Sequence, residues 1–491
     1  MNLSLDICNN VTVKYSIPAN INGDEIYKHD PNNDYYQDNC NKHSTEGNVD
    51  MTQYDRKNDY NNNNYALCES NCEFLGYNGS TSKVICDCKI KNDLNYKDSE
   101  AGNSLNKMDN KKSNTNLGLT QCIKDFIAPE HIKSNGGFYT ILFIIIIFII
   151  IFIIYCIKGK SLIENKIDEV IYQKFSKTRK KKKSAIIKTN SISNKKINKK
   201  KQLSKKISSK QKRKSLDSKN ALFNNKKSNI IKNNKSLNKI ITNKKIVHPI
   251  KIEEESKYKP DRDNDYEMNT LTYDNALKYD KRSCCEYYIS LIKNKQILAF
   301  TFCSFNDYNS GIIKKFIFFL SFALHYTINT IFFDDTNMHQ IYEDQGKYNF
   351  SYQLPRILIS TAISTFILRI MLETLVLTDK IILQIKFQPN HQAAISMKNK
   401  ILKCINIKFA IFFILNLVLL IVFWAYLISF NAKYENTQIY LIENTAISFA
   451  FSLLYPFIIN IIPSVFRMIS LDKESPNKGC LYSTSKIIQI L

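Results

Sequence analysis

The sequence predicts an all-α, multi-pass membrane protein with about five transmembrane helices, a small disulfide-rich outer segment and a disordered basic linker on the cytosolic side. Three observations lead to this prediction. Long apolar runs alternate with Asn- and Lys-rich stretches, charge is segregated along the chain, and seven cysteines precede the first apolar run. The mean hydropathy of −0.27 averages over these unlike regions and does not indicate a soluble protein.

The first apolar run, residues 138–157, is the strongest membrane signal in the chain. It reads FYTILFIIIIFIIIFIIYCI, with no charge, no proline and no glycine. A helix of this length, at 1.5 Å per residue, covers the roughly 30 Å hydrocarbon core of a bilayer. A signal-peptide core is shorter and lies at the N-terminus, and a helix in a soluble core seldom needs apolar residues on every face. We therefore predict a transmembrane helix.

Four further apolar runs, each of roughly 18 to 22 residues, are long enough to cross a bilayer. They contain Ser, Thr, Asn and His, which is typical of helices that pack on one another and turn polar side chains toward the bundle. For any single run, a re-entrant or interfacial segment is the alternative. The predicted spans are residues 316–333, 357–377, 409–430 and 445–466, which form a four-helix membrane module over residues 281–470.

Charge indicates the sidedness of the chain. Residues 158–250 hold about 30 Lys and Arg against about four Asp and Glu, and so carry the whole net charge of +25, whereas residues 1–137 are mildly acidic. A nucleic-acid-binding domain would be basic more evenly, so we predict no nucleic-acid partner. Because cytosolic flanks of spans are rich in Lys and Arg, residues 1–137 are predicted to lie outside, at the plasma membrane or an endomembrane. Applied span by span, the rule places residues 158–280 inside, 334–356 outside, 378–408 inside, 431–444 outside and the tail 471–491 inside.

The tightest cysteine group lies in the outer segment and has the spacing C-x3-C-x13-C-x-C, formed by Cys68, Cys72, Cys86 and Cys88. Outside the cell or in a lumen these thiols oxidise, so we predict two disulfides with connectivity left open. So short a segment would be held together by its disulfides and would lack a real hydrophobic core. A zinc site is the alternative, but C-x-C is cramped for the usual zinc pair, and an oxidising compartment disfavours free thiolates.

Glycosylation sequons support the same sidedness. They begin at Asn2, Asn10 and Asn78 in the outer segment and at Asn349 in the loop predicted to be outside. The start of the chain, MNLSLDICNN, is too polar for a signal peptide. Together with the odd number of outer cysteines, this leads us to expect that the chain is the C-terminal end of a larger gene product.

Four strings of the sequence resemble a known type of protein. They are DRKNDYNNNNYALCESNCEFLGYNGSTSKVICDCKIK, NDYNSGIIKK, LHYTINTIFFDD and FWAYLISFNAKYENTQIYLIENTAISFAFSLLYPF. The first is similar to the juxtamembrane end of large cysteine-rich surface proteins of single-celled eukaryotes. The others resemble the multi-pass C-terminal module that follows it in those proteins. The resemblance covers most of residues 30–92 and 281–470.

The resemblance implies a surface protein whose ectodomain carries EGF-like or similar cysteine repeats. It implies no biochemical activity, because the membrane module has none assigned. The chain departs from the family pattern at Asn431, where the family has a cysteine, and in its short N-terminal part, which agrees with the expectation of a larger gene product.

The basic linker, with TRKKKKS and KKINKKKQLSKKISSKQKRKS at its centre, has too few large apolar residues to bury a core, and we expect disorder. It is either a solvated linker or a patch that binds anionic lipids, each Lys near the surface contributing about 1 kcal/mol. Phosphorylation would weaken lipid binding. Cys284 and Cys285 are candidates for palmitoylation. The candidate phosphorylation sites are Ser184, Ser204, Ser208, Ser209 and Ser215.

Polar side chains inside the predicted spans raise the question of a site. Arg369 and Glu373 are four residues apart on one helical face, and charges at that depth indicate function by default. They either neutralise each other as a structural pair or belong to a gate or ion path. His325 and Asn329 form a polar face on the second span. Together with Asn416 and Asn460, they either line a conducting interior or bond between helices.

The sequence contains no HExxH, GxSxG, Walker A, kinase-like or GxGxxG pattern. We therefore predict no enzyme, no cofactor and no metal site. The first hypothesis is a membrane surface protein that serves adhesion, sensing or surface organisation, with the bilayer, anionic lipids and an extracellular protein ligand as partners. The second is a channel or transporter that uses the last four helices as its conducting unit.

Overall fold

A computed structural model of the protein describes residues 11–69, 72–89, 107–126, 132–175, 260–303, 307–472 and 478–490. Most of these residues are helical, and the N-terminal part contains a small sheet and three disulfides. Several predicted sites lie outside the described residues: Asn2, Asn10, Ser184, Ser204, Ser208, Ser209 and Ser215.

The N-terminal sheet consists of three antiparallel strands in the order β1-β3-β2, namely β1 (Thr12–Pro18), β2 (Cys72–Asn78) and β3 (Lys83–Lys89). β2 and β3 form a hairpin in which Cys72 lies opposite Cys88. Side chains two apart on a strand share a face, so the C-x-C pair of β3 presents both sulfurs on one side. Disulfides join Cys72 to Cys88 and Cys68 to Cys86.

Short helices complete the N-terminal part. The longest begins with a capping box in which Thr52 and Asp55 bond each other's backbone N–H groups, which fixes the start of the helix. A third disulfide joins Cys40 to Cys122, shortly before the first long helix. The short helices are Gly23–His29, Asp34–Gln37, Gln53–Asn62, Asn116–Cys122 and Ile123–Phe126.

Six helices build a bundle: α1 (Gly136–Phe175), α2 (Gly311–Phe332), α3 (Phe350–Met371), α4 (His391–Lys433), α5 (Gln438–Ile459) and α6 (Ile461–Leu471). α6 continues α5 after a break at Asn460, and Pro456 precedes this break by one helical turn. Within the described residues, four helices are long and apolar enough to cross a membrane, namely α1, α2, α4 and α5 with α6.

The five predicted spans fall on these helices. The predicted third span, 357–377, lies on α3 and on one π-helical turn that follows it, Leu372–Val376. α3 is not one of the four helices that meet the length and composition of a span. It carries Arg356 near its start and Arg369 near its end, and it is less apolar than α1.

Helical structure extends beyond the predicted boundaries. α1 continues past residue 157 to Phe175, so the start of the predicted disordered linker is helical. Lys398 of α4 holds this extension by ion pairs to Glu164 at 3.0 Å and to Asp168 at 2.7 Å. The predicted loop 378–408 is partly helical as well, because α4 begins at His391.

α2 lies at the centre of the bundle and contacts α1, α3, α4 and α5. α1 approaches α4 closely at Gly137, where an added Cβ would lie 2.0 Å from Asn431 Nδ2. The amide of Asn431 donates a hydrogen bond of 3.2 Å to the Tyr326 hydroxyl of α2. The first helix is therefore part of the same bundle as α2, α3, α4 and α5.

We call the end of the bundle on which residues 11–126 pack the disulfide end, and the opposite end, on which residues 478–490 pack, the tail end. At the tail end Arg467 forms a buried ion pair of 2.7 Å with Asp280, and Asp379 accepts hydrogen bonds from Tyr308 N and Asn309 Nδ2. The helices of this layer are Asp265–Asn269, Tyr273–Tyr279, Cys284–Lys295, Ile297–Phe302, Asp379–Leu383, Gln384–Phe387 and α7 (Gly479–Ile490).

The ends of the predicted linker and the predicted tail therefore belong to the folded part. Residues 265–279 form helices where a linker was expected, and α7 occupies most of the predicted tail. The contacts that hold them, such as Asp280 with Arg467, join residues far apart in sequence. Local composition does not reveal such contacts.

Candidate functional site

The junction between the N-terminal part and the bundle is centred on Asp50. Its carboxylate accepts hydrogen bonds from Thr437 N at 2.7 Å, Thr437 Oγ1 at 2.8 Å and Asn436 Nδ2 at 3.0 Å, in the turn between α4 and α5. Burial raises the pKa of Asp50, and the hydrogen bonds from Thr437 and Asn436 act in the opposite direction. The carboxylate thus fixes the N-terminal part to the turn.

A second group of contacts joins the Gln53–Asn62 helix to the loop between α2 and α3. His339 Nδ1 lies 2.6 Å from Asp55 Oδ1, and the Tyr342 hydroxyl donates a 2.7 Å hydrogen bond to Asp59. Burial raises the pKa of Asp59, while the hydrogen bond from Tyr342 lowers it. These contacts lie on Asp335–Glu343, a short helix in the loop predicted to be outside.

Buried cations complete the junction. Arg56 is fully buried and donates to the backbone carbonyls of Tyr35 at 2.6 Å and Asp38 at 3.1 Å. Lys433, the last residue of α4, donates to Asn39 at 2.9 Å. A polar interface that is buried and hydrogen-bonded in this way holds its two sides in one arrangement.

Two predicted glycosylation sites are described, and both are exposed at the disulfide end. Asn349 is the N-cap of α3, and Asn78 ends β2. The Asn78 side chain accepts hydrogen bonds from Ser80 N at 3.1 Å and from Ser80 Oγ at 2.6 Å. The two disulfides of the β2–β3 hairpin lie at the same end.

One chain of side-chain hydrogen bonds crosses the core of the bundle. His325 Nδ1 on α2 lies 2.9 Å from Ser448 Oγ on α5, and Ser448 Oγ lies 2.9 Å from Thr361 Oγ1 on α3. The Thr361 hydroxyl donates to Ile357 O at 2.7 Å, so the Ser448 hydroxyl proton goes to Thr361. His325 Nδ1 must then be the donor to Ser448, which leaves Nε2 of the neutral ring as an acceptor.

The other polar residues predicted within the spans bond to their own helices. Asn329 donates to His325 O at 2.9 Å, Asn416 to Phe412 O at 2.7 Å and Asn460 to Pro456 O at 2.6 Å. Their amide groups therefore occupy backbone carbonyls one turn earlier. Of the polar side chains singled out in the sequence, His325 is the one placed in the hydrogen-bond chain from α2 to α5 and α3.

A cavity of about 670 Å³ opens below His325 at the tail end, between α2, α3, α5, α7 and the Cys284–Lys295 and Ile297–Phe302 helices. We call it the tail-end cavity. Four basic side chains line it against one carboxylate, Glu373. The basic residues are Lys295, Arg369, Lys380 and Lys486.

The last turn of α7 positions two of these cations. Lys295 and Arg369 both donate to the backbone carbonyl of Gln489, the latter at 3.3 Å. Cations are stabilised at the C-terminus of a helix by its partial negative charge. Burial lowers the pKa of Lys295 to about 7; the positive charge of Arg369 lowers it as well, and Glu373 opposes the shift.

Two residues that line the tail-end cavity, His325 and Thr365, form what we call its polar wall. Within the described residues, the buried atoms His325 Nε2 and Thr365 Oγ1 have no hydrogen-bond partner. Apolar side chains, among them Phe300 and Leu368, also line the cavity. The cavity therefore combines basic, apolar and uncharged polar lining residues.

The predicted pair Arg369 and Glu373 lies at the rim of the tail-end cavity, with Arg369 Nε 3.3 Å from Glu373 Oε1. The Glu373 side chain is 52% exposed, so the pair is not enclosed by the bundle. Cys284 and Cys285 lie in the first turn of a capped helix of the same layer, and Cys285 is exposed.

Lys295 and Lys486 line the same cavity as Arg369, but they are not among the site residues predicted from the sequence. The two lysines precede and follow the four predicted spans, and each resembles an ordinary flanking charge. No signal in the sequence joins them, because their proximity depends on α7 folding back onto the bundle.

Searches against protein-family models, curated proteins and solved structures find no match to this chain.

Proposed function

We propose that the protein is a membrane surface protein in which a disulfide-stapled outer segment and a five-helix membrane bundle act as one unit in adhesion, sensing or surface organisation. The observation that carries the proposal is the buried junction of Asp50 with Thr437 and Asn436. Through it, a protein ligand bound by the outer segment acts on the ends of α4 and α5.

The exposed apolar surface supports five spans rather than four. α1, α4 and α5 present exposed Ile, Leu, Val and Phe along their outer faces. α3 does so too, with Phe366 65% exposed and Leu358 50% exposed. Exposed apolar side chains of this size over the length of a helix favour contact with lipid. Five spans also agree with the position of residues 11–126 and of residues 478–490 at opposite ends of the bundle.

The assignment of the disulfide end to the outside rests on chemistry. Three disulfides persist in an oxidising compartment, and the exposed Asn78 and Asn349 lie at the same end. The basic stretch follows α1 at the other end, as expected for a cytosolic flank.

Display on living cells tests this proposal. An epitope inserted in the exposed turn after Asn78 is expected to stain on intact cells, and cells that display the chain are expected to aggregate or adhere more than mock-transfected cells. Asp50→Ala leaves buried donors of Thr437 unpaired, at about 1–3 kcal/mol for each group, and should reduce adhesion. Asp24→Ala, at an exposed position of the same segment, is the matched control.

Two outcomes would count against it. If the epitope stains only after permeabilisation, the outer segment is not at the surface. If displaying cells adhere no better than mock cells, the surface role fails.

A conducting role is the second candidate, because the tail-end cavity reaches His325 in the middle of α2. A polar residue at that depth is a common feature of ion and substrate paths. Flux into liposomes that contain the full chain tests it, and the full chain is needed because α1 packs in the same bundle. Flux that is equal to that of protein-free liposomes would exclude conduction under those conditions.

A further inference from the structure

We propose that the tail-end cavity is a binding site for a phosphate monoester, with the phosphate at the basic rim and a hydrogen-bonding group of the same molecule at the polar wall by His325. This site is independent of the adhesion or sensing role, because its residues lie at the end of the bundle opposite the Asp50 junction.

The rim has the charge that a phosphate dianion requires. Four basic side chains face one carboxylate, and Glu373 is already shared with Arg369. The backbone carbonyls that Lys295 and Lys486 contact use only part of the three donors of each ammonium group. Donors therefore remain for phosphate oxygens, and hydrogen bonds between ionised groups are about twice as strong as neutral ones.

The polar wall defines the far end of the ligand. Thr365, which belongs to the polar wall, precedes Arg369 by four residues on α3, a separation of about 6 Å along the helix. A buried acceptor at His325 Nε2 and a buried hydroxyl at Thr365 lack partners within the described residues. Leaving such groups unsatisfied costs about 1–3 kcal/mol each. A hydroxyl or N–H group on the ligand would satisfy both, and an ester carbonyl would accept a hydrogen bond from the Thr365 hydroxyl.

The volume and the walls also fit an organic phosphate rather than an inorganic ion. A cavity of about 670 Å³ lies within the 300–1,000 Å³ range of sites for small organic molecules. Phe300, Leu368 and Pro456 give it apolar lining surface. A soluble phosphate monoester and the head of a lipid phosphate share this chemistry, so the source is decided by experiment.

The test uses the full chain in nanodiscs. The soluble arm titrates glycerol 3-phosphate into phosphatidylcholine nanodiscs by calorimetry. The lipid arm measures co-purification of phosphatidic acid from mixed phosphatidic acid–phosphatidylcholine nanodiscs by native mass spectrometry. Saturable binding in the first arm assigns the site to a soluble ester, and selective retention in the second assigns it to a lipid phosphate.

Two variants localise the binding. Lys380→Gln removes an exposed rim charge, and Thr365→Val removes the unpartnered hydroxyl at nearly constant shape. We expect each to weaken binding about tenfold, which corresponds to about 1.4 kcal/mol, the order of magnitude of one lost hydrogen bond. Lys347→Gln, an exposed lysine at the disulfide end, is the matched control and should leave binding unchanged.

Protection of lysines from an amine-modifying reagent gives a readout that does not depend on the variants. Glycerol 3-phosphate or phosphatidic acid should slow the modification of Lys380 and Lys486 but not that of Lys347. The proposal is overturned if neither probe binds, or if Lys380→Gln and Lys347→Gln behave alike. It is also overturned if bound probe leaves the rim lysines unprotected.

Discussion

At the scale of single residues, the tail end contains charged side chains that are buried together with a partner of opposite charge. Arg467 and Asp280 are about 1–2% exposed and form an ion pair of 2.7 Å. Removing one partner of such a pair costs about 3–5 kcal/mol, because the other charge stays buried alone. Arg282 also pairs with Asp280, at 2.9 Å, so that the carboxylate serves two guanidinium groups. Lys295 differs, because its surroundings disfavour its charge.

Lys295→Met is expected to stabilise the protein at low and neutral pH. Burial and Arg369 lower the pKa of Lys295 to about 7, whereas an unfolded chain has a Lys pKa of about 10.4. Below about pH 7 the folded state carries the full cost of the charge. Between about pH 7 and 10 the unfolded state binds more protons, so the wild-type protein gains stability from this site as pH rises. The gain in melting temperature of Lys295→Met should therefore be largest near pH 6 and small near pH 10.

The Gln489 carbonyl keeps its bond from Arg369 in that variant, so no acceptor is stranded. Lys347→Met, at an exposed lysine of the disulfide end, is the control. The difference in melting temperature between this variant and wild type should be the same at every pH. Thermal unfolding in detergent at several pH values provides the measurement. A difference between Lys295→Met and wild type that stays constant from pH 6 to 10 would contradict the assigned cause.

The same residues show what sequence can and cannot reveal about a site. Arg369 and Glu373 were singled out because charge inside an apolar run is unusual, and they do lie at the rim of the tail-end cavity. His325 was singled out for the same reason. Lys295 and Lys486 were missed, because a lysine outside an apolar run is ordinary. Their shared cavity is a consequence of tertiary structure.

At the scale of helices, close packing at Gly137 joins α1 to α4. A Cβ at this position would meet Asn431 Nδ2 at 2.0 Å and the Leu427 backbone oxygen at 3.1 Å. Gly137→Ala is thus expected to separate the two helices and to destabilise the bundle by about 1–3 kcal/mol, the usual cost of overpacking. Gly136→Ala is the control, since its Cβ would meet only the ends of the flexible Gln438 and Ile442 side chains.

Denaturant titration in mixed micelles, followed by circular dichroism, measures the difference between the two variants. Equal stability of Gly137→Ala and Gly136→Ala would mean that α1 is not held against α4 at this point. Asn431 also has a second contact, on α2. The amide bonds the Tyr326 hydroxyl, which gives it a packing role in this chain.

Helix position was predictable where the apolar run was pure, as in residues 138–157. Helix length was not predictable, because the extension of α1 to Phe175 has the charged, Lys-containing composition that is expected of a linker. It is helical beside α4, where Lys398 pairs with Glu164 and Asp168 and Lys166 donates to the Asn309 carbonyl. Such contacts between distant parts of the chain have no counterpart in local composition.

At the scale of the whole molecule, the arrangement of the ends predicts a topology. The N-terminal part, the loop around His339 and the turn at Thr437 lie at one end, and residues 260–303 and α7 lie at the other. Asn349 is therefore expected to be glycosylated in a eukaryotic host. Tags inserted after Lys160 or at Leu491 should be accessible from the cytosol.

A glycosidase-sensitive mass shift that is lost in Asn349→Gln measures the first expectation, and protease protection of tagged microsomes measures the second. Asn62→Gln, at an exposed asparagine of the same end that is not in a sequon, is the matched control. A C-terminal tag protected inside the microsomes would contradict the topology.

The length of α1 and α4 has a consequence for the basic stretch. With the hydrocarbon edge at Ile157 on α1 and at Phe409 on α4, each helix continues about 27 Å farther. There the Phe175 ring contacts the His391 ring, with centroids 5.3 Å apart. The chain beyond Phe175 thus starts about three Debye lengths from the bilayer at physiological ionic strength. We therefore expect an anionic leaflet to attract Lys158 and Lys160 directly, and to reach the later lysines only if the chain returns over that distance.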